Sequence, residues 1–148
     1  MFESFMQTAL DQARAAAGRG ETPVGAVIVH QGKIIAAQGN RVRELADPTA
    51  HAEILVLRAA GAHLGNERLG ACDLYVTLEP CPMCAGAISL ARIRRLYYGA
   101  SDPKSGGVEH GPRVFAQPTC HHAPEVISGL AETEAAALLR QFFHVRRG

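Results

Sequence analysis

The spacing of apolar residues changes along the chain, and each change marks an element. Phe2, Phe5, Met6, Ala9, Leu10 and Ala13 recur at three- and four-residue intervals, the single apolar face of a helix. Gly18 and Gly20 end it. Val24–Val29 is a β-branched run, and the Gln31–Gly32 turn before Lys33–Ala37 predicts a β-hairpin. The polar stretch 39–48 reads as a loop. A second helix is predicted from Asp47–Pro48–Thr49, with Asp or Thr as its cap, and it stops near Gly61–Gly65. Asp73–Leu78 reads as a strand. Pro80 and Pro82 close it and open a third helix, Met83–Leu90. Arg94–Tyr98 is a further strand, 101–111 a loop, and Glu125–Ser128 a short strand. Leu130–Val145 closes the chain as a helix with Leu138, Leu139, Phe142 and Phe143 on its core side. Strands alternating with helices predict an α/β protein, a sheet packed between helices with parallel pairing where a helix intervenes. Catalytic groups in such sheets sit at helix starts beyond strand ends.

Composition narrows the class. The 148 residues are enough for one domain with its own core, and one domain over 1–148 is expected. With 47% hydrophobic and 20% charged residues, disorder and collagen-like order are excluded. No apolar run is long enough to span a bilayer, so no membrane partner is expected. The first residues carry Glu3 and Asp11 and no basic leader, so the expected location is the cytoplasm. In that reducing compartment the four cysteines point to metal binding or catalysis before disulfides.

Two short motifs carry the chemistry, His51–Ala52–Glu53 and Pro80–Cys81–Pro82–Met83–Cys84, each at a predicted helix start. Cys81 and Cys84 are three apart, hence on one helical face, and a helix N-terminus favours the thiolate. Catalytic zinc takes three protein ligands and keeps a fourth position for water, and His51, Cys81 and Cys84 supply three ligands of suitable type. Glu53, beside the ligand histidine, can take a proton from that water and hand it to a leaving amine. A redox pair, half of a structural zinc site or two buried thiols would explain an isolated C-x-x-C. A redox pair would leave His51 and Glu53 idle, and a structural zinc would need a fourth ligand. Cys120–His121–His122 and Cys72 are the candidates for one. The plainer reading makes Cys72 a small buried residue and 120–122 a loop. His30, His63, His110 and His144 read as surface residues.

The pairing of H-x-E with P-C-x-x-C resembles the zinc-dependent nucleobase deaminases. The segments 47–54 and 77–87 resemble the two zinc motifs of bacterial tRNA-specific adenosine deaminases, members of the cytidine deaminase superfamily. The segments 92–93, 98–104 and 138–147 are similar to that family's later segments, so the resemblance spans nearly the whole chain. It implies a three-layer α-β-α cytidine deaminase-like fold around a five-stranded mixed sheet. It implies one zinc per subunit and no organic cofactor, with Glu53 as proton shuttle. It also implies a homodimer acting on the wobble adenosine of a tRNA anticodon stem-loop. Residue by residue, Asn40 would hydrogen-bond the flipped nucleotide, and Val24 and Gly25 would wall the base pocket. Backbone around Pro80–Cys81 would position the water. Ala100, Asp102 and Lys104 would face the anticodon loop, and the helix end with Phe142, Phe143 and Arg146 would meet neighbouring nucleotides.

The chain departs from the family pattern at Ser105–Gly106–Gly107–Val108–Glu109–His110–Gly111, where a G-A-x-G-S-like stretch is usual. Glu109 there adds a negative charge on the expected side of RNA approach. Cys120 stands where asparagine is common. A deaminase of a free base or nucleoside (guanine, cytosine or cytidine) on the same fold, and a non-catalytic zinc-binding subunit, are the alternatives. A net charge of +1 excludes a uniformly basic nucleic-acid coat. Two segments carry the expected phosphate contacts: 91–104, with Arg92, Arg94, Arg95 and Lys104 against Asp102, and 140–148, with Arg140, Arg146 and Arg147.

Overall fold

The computed structural model describes residues 2–147, with side chains from Phe5 to Val145. Five strands order as β2-β1-β3-β4-β5: β1 Gly25–His30, β2 Lys33–Gly39, β3 Cys72–Leu78, β4 Arg95–Ala100 and β5 Glu125–Ile127. The β1–β2 and β1–β3 pairs are antiparallel, and β3–β4 and β4–β5 are parallel. Four helices flank them: α1 Phe2–Gly18, α2 Ala52–Leu64, α3 Pro82–Ala91 and α4 Glu132–Arg147. A 3-10 turn at Val114–Ala116 lies between β4 and β5.

Period-2 alternation builds two cores, because the central strands are covered on both faces. Ala26 and Ile28 of β1, Leu74 and Val76 of β3, and Leu96 and Tyr98 of β4 pack under Val56, Ala60, Ala85 and Ile88 of α2 and α3. Val27, Val29, Tyr75 and Tyr97 point the other way, against Met6, Ala9 and Leu10 of α1 and Ala135 of α4. Tyr75 and Tyr97 stack there with ring centroids 4.3 Å apart. The β1–β2 hairpin turns on Gln31 and Gly32, with φ of 53° and 75°, the two left-handed residues that a tight two-residue turn requires.

Two expectations shift. Asp47–Pro48–Thr49 does not open α2. Asp47 Oδ1 instead accepts the Thr49 N–H and hydroxyl, at 2.9 and 2.7 Å, closing a local turn ahead of the helix. The helix begins at Ala52, with His51 as its N-cap. On α4, Ala135 and Leu138 face the core, while Phe143 is 45% exposed. Phe2 lies on α1, with its side chain outside the described residues.

Candidate active site

Two helix starts meet beyond the C-terminal end of β3. His51 is the N-cap of α2 and Cys81 the N-cap of α3, which Pro82 starts at its first position. The His51 side chain makes no cap hydrogen bond to its own helix. For α2 the missing acceptor comes from elsewhere. Asn40, just past β2, accepts the Ala52 N–H on Oδ1 at 2.7 Å. That leaves the His51 imidazole free to turn toward the cysteines. Its Nδ1 lies 3.6 Å from Cys81 Sγ and 3.5 Å from Cys84 Sγ.

These spacings suit zinc. Tetrahedral bonds of about 2.0–2.1 Å to nitrogen and 2.3 Å to sulfur place such donors about 3.6 Å apart. The three ligand atoms all lie within 4.8 Å of one another, and no other such group occurs among the described residues. The Cys84 thiol and the His51 ring, both hydrogen-bonded to Cys81, outweigh the cost of burial and bring the Cys81 thiol down to about 4. Cys84 goes the other way, holding its proton against Cys81, burial and the nearby Glu53 carboxyl. His51 is raised by its hydrogen bond to Cys81.

Glu53 sits in the first turn of α2, 3% exposed, and its Oε1 has no hydrogen-bond partner among the described residues. Burial pushes its carboxyl up to about 7, against smaller opposing effects of its own backbone N–H and of His51. A buried carboxyl with one unpaired oxygen beside a three-ligand set is a group positioned to exchange protons rather than to hold the fold.

The ligand set opens into a cleft of about 460 Å³. Val24, Asn40, Asp102, Phe142 and Phe143 line it, together with Glu21, Arg43, Leu78, Glu79 and Ser105. The structure places three other expected contacts behind it. Gly25 packs on α1 so closely that a Cβ there would meet the Ala9 carbonyl oxygen at 1.9 Å. Ala100 is 4% exposed within the α1/α4 core. Pro80 is buried and, as a proline, has no N–H to offer, and its carbonyl accepts the Gly107 N–H at 2.8 Å. Lys104 is exposed outside the lining, and Arg146 lies in the last turn of α4 with its side chain outside the described residues.

Glu79 carried no role in the sequence reading, yet it organises one wall. Its buried carboxylate accepts backbone N–H groups of Asp102, Val108, Glu109 and His110 at 2.9–3.2 Å, and the His110 ring nitrogen at 2.8 Å. Burial alone would raise its pKa, but those hydrogen bonds hold it below the usual carboxylate value. His110 is therefore an internal partner and not a free surface residue. The loop lies so close that a Cβ at Gly106 would meet the Glu79 carboxylate at 2.5 Å, and one at Gly107 the Pro82 nitrogen at 2.6 Å. Glu109 accepts the hydroxyl of buried Tyr98. Cys120 and His122 lie elsewhere, on Ser89 of α3, and Cys72 is fully buried in the core.

The arginines of 91–95 are remote from the cleft. Arg94 makes a two-pronged pair with Asp73 at 3.0 and 2.9 Å, and Arg95 pairs with Glu125 at 2.7 Å. Both pairs lie where β3 to β5 begin, whereas the site lies beyond where β3 and β4 end.

A family model of the cytidine and deoxycytidylate deaminase zinc-binding region matches residues 2–100. The chain is 66% identical over 143 residues to the tRNA-specific adenosine deaminase of Agrobacterium fabrum, covering 97% of this chain and 94% of that one. Its identity to the tRNA-specific adenosine deaminase of Bacillus subtilis is 42%, over 98% of this chain and 90% of that one. A structure solved in studies of A-to-I editing by tRNA:A34 deaminases at the wobble position matches with a TM-score of 0.91 at 65% identity, covering 92% of this chain and 99% of that one. A guanine deaminase from Nitrosomonas europaea matches with a TM-score of 0.82 at 29% identity, covering 95% and 83%.

Proposed function

The chain belongs to the tRNA-specific adenosine deaminases of the cytidine and deoxycytidylate deaminase family, and from that premise we propose how its own residues carry the reaction. The reaction is hydrolytic deamination of the wobble adenosine of tRNA to inosine. Water adds at C6, the C6–N bond breaks, and ammonia leaves. One zinc is the resident cofactor, held by His51, Cys81 and Cys84. Bound there, it supplies the Lewis acidity that makes water nucleophilic near neutral pH.

Glu53 moves the protons. Its carboxyl, raised to about 7 by burial, can both take and give a proton at the pH of a cell. Asn40 keeps its Oδ1 on the Ala52 N–H, so its amide NH₂ is the part that can meet a nucleotide in the cleft. Val24 and Leu78 offer the apolar wall a flipped base needs, and Phe142 and Phe143, edge to face at 5.4 Å, offer rings at the opening for stacking. Asp102 lines the cleft on the loop that Glu79 holds.

The observation that carries this assignment of roles is the unpaired, buried Glu53 Oε1 beside the His51–Cys81–Cys84 set. The zinc-loaded protein should form inosine on an anticodon stem-loop carrying a wobble adenosine, and leave free adenosine, guanine and cytosine unchanged. Turnover of a free base with none on RNA would overturn the substrate. The enzyme works as a homodimer in the cytoplasm. An exposed apolar face on α2 and α3 supports the dimer, and four free cysteines suit the compartment.

A further inference from the structure

The cleft has the wrong charge for its substrate. Four carboxylates line it, those of Glu21, Glu53, Glu79 and Asp102, and among the described residues Arg43 is its only arginine or lysine. A phosphodiester entering such a site is repelled unless a cation answers it. Arg94 and Arg95 cannot do so, because they are tied to Asp73 and Glu125 at the other end of the sheet, and Arg92 closes α3 with its Nη1 on the Ser89 carbonyl.

Arg43 is built for the task. Its neighbours Arg19 and Arg41 both converge on Glu44, at 3.7 and 2.8 Å. Among the described residues Arg43 forms no such ion pair; its Nη1 reaches the Gly20 carbonyl, at 3.5 Å, and its side chain is exposed. Glu21 attracts it without pairing. The backbone beneath it is fixed by that same Glu21, 2% exposed, whose two oxygens accept the Arg43 and Glu44 N–H groups at 3.1 and 2.9 Å. A buried carboxylate spent on holding this turn presents a guanidinium at the cleft with its fork open, and a guanidinium fork matches phosphate.

We infer that Arg43 binds a phosphate of the substrate RNA next to the flipped wobble adenosine, the principal positive contact at the mouth of the cleft. This rests on the RNA substrate proposed above, and adds a residue that the expected basic segments did not contain.

The test is binding of an anticodon stem-loop to the zinc-loaded protein over a range of KCl, for wild type, Arg43→Gln, Arg43→Lys and Arg94→Gln. Loss of one phosphate contact should make the slope of log affinity against log salt shallower by about 0.7–1 in Arg43→Gln. KM should rise several-fold with kcat nearly kept. Arg43→Lys should recover the slope, and Arg94→Gln should keep it throughout. A stem-loop with a single uncharged methylphosphonate beside the wobble adenosine should weaken wild type and leave Arg43→Gln no worse at the contacted linkage. A wild-type slope in Arg43→Gln, or no linkage coupled to it, overturns the inference alone. A wild type that neither binds nor deaminates the stem-loop overturns the RNA reading and the inference together.

Discussion

His51 holds a position where Ser, Thr, Asp or Asn usually caps the helix with its own side chain. Here the capping is delegated to Asn40, so one residue sets the start of α2 while another spends its side chain on the metal set. Glu53 follows one turn-step later and is buried with Oε1 unpaired, an arrangement of no benefit to the fold. Glu53→Ala should therefore retain one zinc per chain by elemental analysis and lose at least about 100-fold in turnover, the usual worth of a positioned acid–base group. Loss of zinc in that variant would make Glu53 a structural support. Retained activity would remove it from the chemistry. His51, Glu53, Cys81 and Cys84 were all legible in the sequence, because metal ligation depends on residue type and spacing. Asn40 was legible as a polar contact but not as a cap, since its partner Ala52 reaches it only once the hairpin folds back.

The loop from Asp102 to His110 is where element-level reading fell short. Its hold on the site is a carboxylate just past the end of β3 and a series of backbone N–H groups, and backbone donors leave no mark in a sequence. Read alone, Glu109 and His110 look like surface charge; folded, they pair with Tyr98 and Glu79. Glu79→Gln would replace an acceptor pair with one acceptor and one donor, leaving buried N–H groups unsatisfied. The cost should be about 3 kcal/mol or more near pH 7. The Glu79 pKa in the fold lies below its ordinary 4.5, so its contribution is present above that value and is lost as pH falls through the folded value. The stability gap between wild type and variant should thus be largest near neutrality and shrink on acidification, measured by denaturant midpoints at pH 7 and pH 4. A gap that does not change with pH would show that the charge on Glu79 does not hold the loop.

Across the whole molecule, strand direction sorts the chemistry. Parallel β3 and β4 carry their ion-paired arginines at the start and deliver the site past their ends, which is why a basic stretch adjacent in sequence to Asp102 and Lys104 lies far from them in space. The α/β class and the helix order follow from the changes of period and the turn residues between them, and the five-stranded mixed sheet from the family resemblance; which end of a strand a charge occupies is settled only by the register. A second surface stands outside both cores, between α2 and α3, where Ile54, Leu57, Ala87 and Leu90 line an open cleft of about 720 Å³. Leu90 there is 64% exposed. Arg58 and Glu67 also line it, so the face carries an apolar centre with one charge of each sign. A two-fold contact between identical copies needs a patch complementary to itself, and an apolar centre with one charge of each sign is compatible with that. Leu90→Asp would bring two carboxylates together near the two-fold axis without touching either core. By sedimentation the wild type should have the mass of two chains and Leu90→Asp that of one, with unchanged thermal unfolding of the monomer's secondary structure. A wild type of one chain's mass would overturn the dimer, and a dimeric Leu90→Asp would move its interface off α2 and α3.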